Sequence, residues 1–320
     1  MKTIAVLTSG GDAPGMNAAV RAVVRTGIYN DMRVMGVYNG YEGLMNGDIE
    51  ELSLRSIGNI IQRGGTVLRS ARSAEFTQES GRLRALETCK KFGIEGLVVI
   101  GGDGSYRGAL EFSRLGVTCV GVPGTIDNDI GCTDYTIGFD TAINTVMEMV
   151  DKVRDTTESH SRCSVIEVMG RDAGYIGLEA GIAVGATSIL IPEFEYDFDK
   201  DVLGRMQNTI VTGKRHFVII VAEGCGDAME MAKKIEQFTG IETRATILGY
   251  VQRGGSPTVR DRVLASRMGN EAVRLLRDGE ESCVIGVRNE EIVHYPIEEG
   301  LAMKKTIDVE QYRMAYEISI

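Results

Sequence analysis

Short β-branched runs alternate with stretches of helical periodicity along almost the whole chain, and that alternation leaves few folds open. Runs at 3–7, 34–37, 96–100, 118–122, 164–168, 188–191, 216–221, 245–248 and 282–287 read as strands. Between them, 16–29, 79–92, 106–115, 140–156, 175–184, 199–212, 228–239 and 261–277 read as helices. Several strands are apolar at consecutive positions, as strands covered on both faces are, so the chain is expected to be α/β with mainly parallel sheets. Its 320 residues exceed the roughly 250–300 at which one core tends to divide, which predicts two domains. Many of the 40 glycines fall where a strand hands over to a helix, the side of a parallel sheet on which ligands bind.

Charge narrows the partners. Thirty-five basic against 45 acidic residues give a net charge of −10, which argues against bulk nucleic-acid or anionic-membrane binding. An anionic substrate would then need arginines gathered locally. No apolar stretch approaches the ~20 residues of a membrane span. The start, Met1-Lys2-Thr3-Ile4-Ala5-Val6-Leu7, lacks the features of a signal peptide, so a cytoplasmic protein is expected. The six cysteines show no metal-binding spacing, and most are expected to be buried small apolar residues.

Four loops carry chemistry. Thr8-Ser9-Gly10-Gly11-Asp12-Ala13-Pro14-Gly15-Met16-Asn17 follows the first strand and opens a helix, where backbone N–H groups and the helix dipole favour an anion; a tight structural turn would look the same. No GxxxxGK[ST] sequence is present, so a Walker-type loop is excluded. Gly101-Gly102-Asp103-Gly104-Ser105 offers one carboxylate to a Mg²⁺ on nucleotide phosphates, although a capping Asp has the same signature. Pro123-Gly124-Thr125-Ile126-Asp127-Asn128-Asp129 sets a hydroxyl and two carboxylates in one turn. In an extended loop, carboxylates two apart point the same way, a costly arrangement unless a cation or proton transfer uses it. Val168-Met169-Gly170-Arg171 ends a strand with a fixed cation suited to a transferring phosphoryl group. Gln62-Arg63-Gly64-Gly65 recurs as Gln252-Arg253-Gly254-Gly255, which suggests two basic glycine loops facing one site.

Taken in order with Glu223-Gly224 and the segment 252–257, these loops resemble the phosphofructokinase family in its bacterial ATP-dependent branch, over essentially the entire chain. The resemblance implies two three-layer αβα domains with mainly parallel sheets, an ATP-binding domain at 1–138 and 251–301 and a fructose 6-phosphate-binding domain at 139–250 and 302–320. It implies that ATP phosphorylates the 1-hydroxyl of fructose 6-phosphate, a glycolytic step, with Asp127 as general base, Thr125 beside it, Asp103 on Mg²⁺ and Asp129 near the metal. By the same resemblance Gly11, Arg72, Ser73, Gly102, Gly104 and Ser105 contact ATP, and Arg72 and Arg171 stabilise the transferring group. Thr125, Ile126, Met169, Gly170, Arg171, Glu223, Tyr250, Val251, Gln252 and Arg253 hold the sugar phosphate, with Arg162 and Arg244 reaching across an interface of a homotetramer. ADP and phosphoenolpyruvate are the implied effectors, at Arg21, Ala22, Val23, Val24, Arg25, Arg154, Gly185, Ala186, Thr187, Lys214, Arg215 and His216.

Some residues set this chain apart. Pyrophosphate-using relatives carry Asp at Gly104 and Lys at Gly124, so both glycines favour ATP. Tyr250 stands where many members have His; Thr187 and Thr212 replace a Glu and an Arg of the effector site, which predicts an attenuated or retuned response. The competing readings are a pyrophosphate-dependent enzyme, a lipid or NAD kinase sharing the Gly-Gly-Asp-Gly loop, and a silent nucleotide sensor.

Overall fold

The computed structural model describes residues 1–319 and divides them into two compact units. The first comprises Met1–Ile126, Ile130–Thr141 and Arg253–Lys305; the second comprises 127–129, 142–252 and the segment from Thr306 onward.

The first unit holds a seven-stranded sheet. Its elements are β1 (Thr3–Thr8), α1 (Met16–Tyr29), β2 (Arg33–Val37), α2 (Gly40–Asn46), β3 (Ile49–Glu51), α3 (Glu79–Phe92), β4 (Gly96–Gly101), α4 (Asp103–Ser113) and β5 (Thr118–Pro123). After a long excursion into the other unit the chain returns with α9 (Val259–Asp278), β10 (Cys283–Arg288), β11 (Glu291–Pro296) and α10 (Ile297–Ala302). The order β11-β10-β5-β4-β1-β2-β3 is parallel except for the β2–β3 and β10–β11 pairs. Because β1 feeds β2 on one side and lies beside β4 on the other, the strand order reverses between β1 and β4. Loops leaving the two strands diverge there, the position at which open α/β sheets bind ligands. A core of Leu7, Leu44, Leu97, Tyr106 and Phe112 fills the face under α2, α3, α4 and α10, while α1 and α9 cover the other face.

The second unit has a four-stranded parallel sheet of order β7-β8-β6-β9. Its elements are α5 (Phe139–Ser159, begun in the first unit), β6 (Cys163–Val168), α6 (Tyr175–Ala183), β7 (Ser188–Leu190), α7 (Arg205–Val211), β8 (Phe217–Ala222), α8 (Ala228–Thr239), β9 (Thr243–Ile247) and the tail helix α11 (Val309–Glu317). Val165, Ile219, Met206 and Ile235 form its core. The helix expected over 199–212 divides into a π-helical turn, Phe198–Gly204, and α7, with the Asp197 carboxylate accepting the N–H groups of Asp199 and Lys200 at the start. All six cysteines are free thiols; five are buried, and burial raises their pKa. Among the described residues no helix is long and apolar enough to cross a membrane.

Candidate active site

The carboxyl ends of β1, β4 and β5 are stitched together by their loops. Ser9 N–H donates to Ile100 O at 2.9 Å, and Gly124 N–H donates to Gly101 O at 3.0 Å. A side chain at Gly101 would run into the Ser105 hydroxyl and into Ser9 O, so this position has no room for one. Gly102 and Gly104 differ: nothing lies within 4 Å of where a Cβ would stand, so the backbone at the start of α4 is open to a ligand. Asp103, the first residue of α4, is half-buried, and its charge helps hold the buried Cys132 thiol in its protonated form. Ser105 is fixed from below by Tyr41 of α2, whose hydroxyl donates to Ser105 O at 2.6 Å and whose ring stacks on Phe76 at 4.0 Å.

The segment 63–73 wraps the same loops. Asn17 of α1 donates to Arg63 O at 3.0 Å and Gly64 O at 3.2 Å and accepts Val67 N–H at 2.7 Å. Ser70 Oγ donates to Gly10 O at 2.6 Å, and Ser73 Oγ donates to Glu42 at 2.7 Å. Arg72 between them is exposed and forms no side-chain hydrogen bond or ion pair among the described residues. The sequence echo is a contact: Ser256 Oγ donates to Gln62 O at 2.9 Å, and Gly64 abuts Gly255 O. Arg253 lies against Gly11, where any Cβ would overlap its Nη1, and its Nε is buried without a hydrogen-bond partner among the described residues.

The loop after β5 departs from the extended form expected of it. Ile126 and Asp127 make a bend and Asn128 has φ 54°, in the left-handed region, so the alternation argument for Asp127 and Asp129 does not hold. Asp127 is only 5% exposed, whereas Asp129 is half-buried and acts electrostatically on Tyr175. Thr125 O accepts the Thr136 hydroxyl at 2.7 Å.

In the second unit the expected sugar-phosphate residues cluster at the ends of β6, β8 and β9. Glu223 uses one oxygen to accept Gly170 N–H at 3.2 Å and Arg171 N–H at 2.5 Å, which holds Arg171 at φ 56° with its side chain exposed. Gln252 is fully buried and accepts Met169 N–H at 3.1 Å, while Tyr250 and Val251 beside it are exposed. At the opposite end of the same sheet Arg162 and Arg244 flank Glu242, with Arg162 Nε at 2.8 Å and Arg244 Nη2 at 2.6 Å. Hydrogen bonds from the two guanidinium groups hold the Glu242 carboxyl below the usual carboxylate range. Glu242 was absent from the sequence reading; its spacing two before Arg244 was its only signal.

Effector candidates fall in both units. Arg21 and Arg25 sit on α1, where burial and Arg25 lower the Arg21 pKa; Ala22, Val23 and Val24 between them are buried. In the second unit Arg154 of α5 donates to Val184 O, next to Gly185, Ala186 and Thr187; Lys214 and His216 are half-buried and Arg215 is exposed. Among the described residues no group of three or more His, Cys, Asp or Glu side chains is arranged to hold a metal. A Mg²⁺ carried on nucleotide phosphates needs only one or two protein carboxylates, which Asp103 beside the open Gly102 and Gly104 fits.

Residues 3–276 match the protein family described as phosphofructokinase. A protein named ATP-dependent 6-phosphofructokinase from Bacillus cytotoxicus is 58% identical over 100% of both chains, and one of the same name from Bacillus pumilus is 57% identical over the same span. The structure of phosphofructokinase from Saccharomyces cerevisiae superposes with a TM-score of 0.90 at 38% identity; it covers 100% of this chain, which spans only 48% of the yeast chain. A pyrophosphate-dependent phosphofructokinase from Marinobacter aquaeolei gives a TM-score of 0.86 over 100% of this chain and 92% of its own, a likeness of fold at 23% identity.

Proposed function

The chain belongs to the phosphofructokinase family, and we infer that it transfers a phosphoryl group from ATP to the 1-hydroxyl of fructose 6-phosphate, yielding fructose 1,6-bisphosphate and ADP. The observation that carries this reading is identity of 58% along the full length of a relative named for ATP. The open backbone at Gly102 and Gly104 supports it, because phosphates can approach there without meeting a side chain.

Asp127 takes the proton of the 1-hydroxyl as that oxygen attacks the γ-phosphorus, and ADP leaves. At 5% exposure, little bulk water competes with the substrate hydroxyl for this carboxylate. Thr125 orients the hydroxyl, and Arg171 and Arg72 stabilise charge on the transferring group; both guanidinium groups are exposed and form no ion pair among the described residues. Asp103, supported by Asp129, would hold the Mg²⁺ that screens the donor phosphates. Gly11, Ser73, Gly102, Gly104 and Ser105 bind ATP; Met169, Gly170, Glu223, Tyr250, Gln252 and Arg253 bind the sugar phosphate. Arg162 and Arg244, aligned through Glu242, serve the 6-phosphate of a neighbouring subunit in a homotetramer. Arg21, Arg25, Arg154 and Lys214 take ADP or phosphoenolpyruvate as effectors, and the enzyme works in the cytoplasm.

A coupled assay with fructose 6-phosphate and either ATP or pyrophosphate tests this directly; turnover with pyrophosphate alone would overturn the donor assignment. Asp127→Ser is expected to lower kcat by at least about 10²–10⁴-fold with substrate binding largely kept. A non-catalytic nucleotide sensor would show no turnover to lose.

A further inference from the structure

Three cations gather in the second unit without a carboxylate paired to any of them. Arg154 donates through Nη2 to Val184 O, while its Nε is buried with no hydrogen-bond partner among the described residues. Arg205, the first residue of α7, donates through Nε to Thr187 O at 2.8 Å. Lys214 follows α7, and its ammonium is pushed below the ordinary lysine value by burial and then by the charges of Arg154 and Arg205. Asp201 lends Arg205 some negative charge, but no ion pair involves these three cations among the described residues. Partly buried like charges are costly unless an anion offsets them.

The two arginines grip one short loop from either end. Between Val184 and Thr187 the chain turns at Gly185, whose φ is 57°. The loop amides are all engaged: Gly185 N–H donates to Ile182 O at 3.0 Å, Ala186 N–H to Gly181 O at 2.9 Å and Thr187 N–H to Val218 O at 2.7 Å. An anion at this loop is therefore held by side chains. Thr187 is 1% exposed, and among the described residues its hydroxyl has no partner, a second buried polar group left unsatisfied at this loop.

The far side of Arg205 belongs to the C-terminal helix. Nη2 donates to Tyr316 O at 3.0 Å and to Ser319 Oγ, and the guanidinium carbon lies 3.9 Å from the centre of the Tyr316 ring. The helix is itself pinned beside β7, where Tyr312 donates to Ile189 O at 3.1 Å and stacks on Phe194 at 4.5 Å. Nη1 of Arg205 makes no hydrogen bond among the described residues. We propose that Arg205 is a third binding cation for a phosphate-bearing effector, held in position by α11. The proposal rests on the reading of Arg154 and Lys214 as effector residues and adds to it a residue and an element with no assigned part in binding.

Phosphoenolpyruvate binding to the full-length protein, measured by calorimetry, tests it. Lys214→Ala and Arg205→Met should each weaken binding about tenfold or more, as expected on loss of a charge-assisted contact. Arg205→Lys should keep most of the affinity. Tyr316→Leu should weaken binding several-fold in the parent chain and add nothing in Arg205→Met, because both act on one cation. Unchanged affinity in Arg205→Met with loss in Lys214→Ala would overturn the role of Arg205 and leave the effector site standing. Additive effects of Tyr316→Leu and Arg205→Met would overturn the part given to α11. Unchanged affinity in Lys214→Ala, or no binding by the parent at millimolar phosphoenolpyruvate, would overturn the effector reading and this proposal together.

Discussion

One missing methyl group decides where Arg253 can lie. A Cβ at Gly11 would overlap the Arg253 guanidinium, so Gly11→Ala must push that side chain off the loop after β1. If Arg253 holds the sugar phosphate, the substitution should raise the KM for fructose 6-phosphate about tenfold, in addition to any effect on the ATP bound at Gly11; a rise confined to ATP would show that Gly11 acts through its backbone alone. Tyr250, 82% exposed, has a hydroxyl that donates a hydrogen bond but no nitrogen that could become a cation, as an imidazole has. In Tyr250→His the KM for fructose 6-phosphate should climb as pH rises through the imidazole pKa of about 6.5, while the parent profile stays flatter. Superimposable profiles would refute that. Residue types and order sufficed to mark Asp103, Asp127 and Arg171 as candidates. They could not show that Asn128 turns the chain between two carboxylates, because a left-handed residue leaves no mark in composition. Nor could they separate Gly104, which is open, from Gly124, where a Cβ would sit 3.0 Å from Ile100 and 3.2 Å from Met16.

At the scale of elements, Asp261 of α9 caps the start of α5. Its carboxylate accepts Gly138 N–H at 2.8 Å and, on the other oxygen, Thr141 N–H at 2.8 Å and the Thr141 hydroxyl at 2.5 Å. Burial outweighs these donors and, aided by Asp140, raises its pKa to about 6. The unfolded value lies near 4, so between roughly pH 4 and 6 the folded chain binds a proton that the unfolded chain has released, and this group's contribution to stability falls as pH rises through that window. Asp261→Asn should therefore lower the melting temperature more at pH 4 than at pH 7; a pH-independent difference would contradict the assignment. The β10–β11 hairpin shows why some elements escaped the sequence reading. Its turn uses Asn289 and Glu290, both at positive φ, in place of an Asn-Gly pair. Likewise α2 spans only seven residues, too few for a period to show, yet it carries the Tyr41 that fixes Ser105. The long alternation of strand and helix was legible because the buried strands are short apolar runs rich in β-branched residues, as in Val98-Val99-Ile100.

For the whole molecule, Arg162 and Arg244 are tied to Glu242 at one end of their sheet. If they act on a neighbouring subunit's substrate, specific activity should fall on dilution as tetramers dissociate. Constant activity from a species that sediments as a monomer would exclude it. The order in which the chain visits its two units has a consequence for synthesis. β5 ends at Pro123, but the strand that covers its outer edge, β10, begins at Cys283, after most of the second unit. At about 5–20 residues per second a ribosome needs roughly 8–32 s to cross that interval. During that time the nascent first unit carries an apolar strand with an unpaired edge and lacks α9 over one face of its sheet. Such an edge is a template for wrong pairing, so the chain depends on the ribosome and its chaperones for longer than the size of its first unit would suggest.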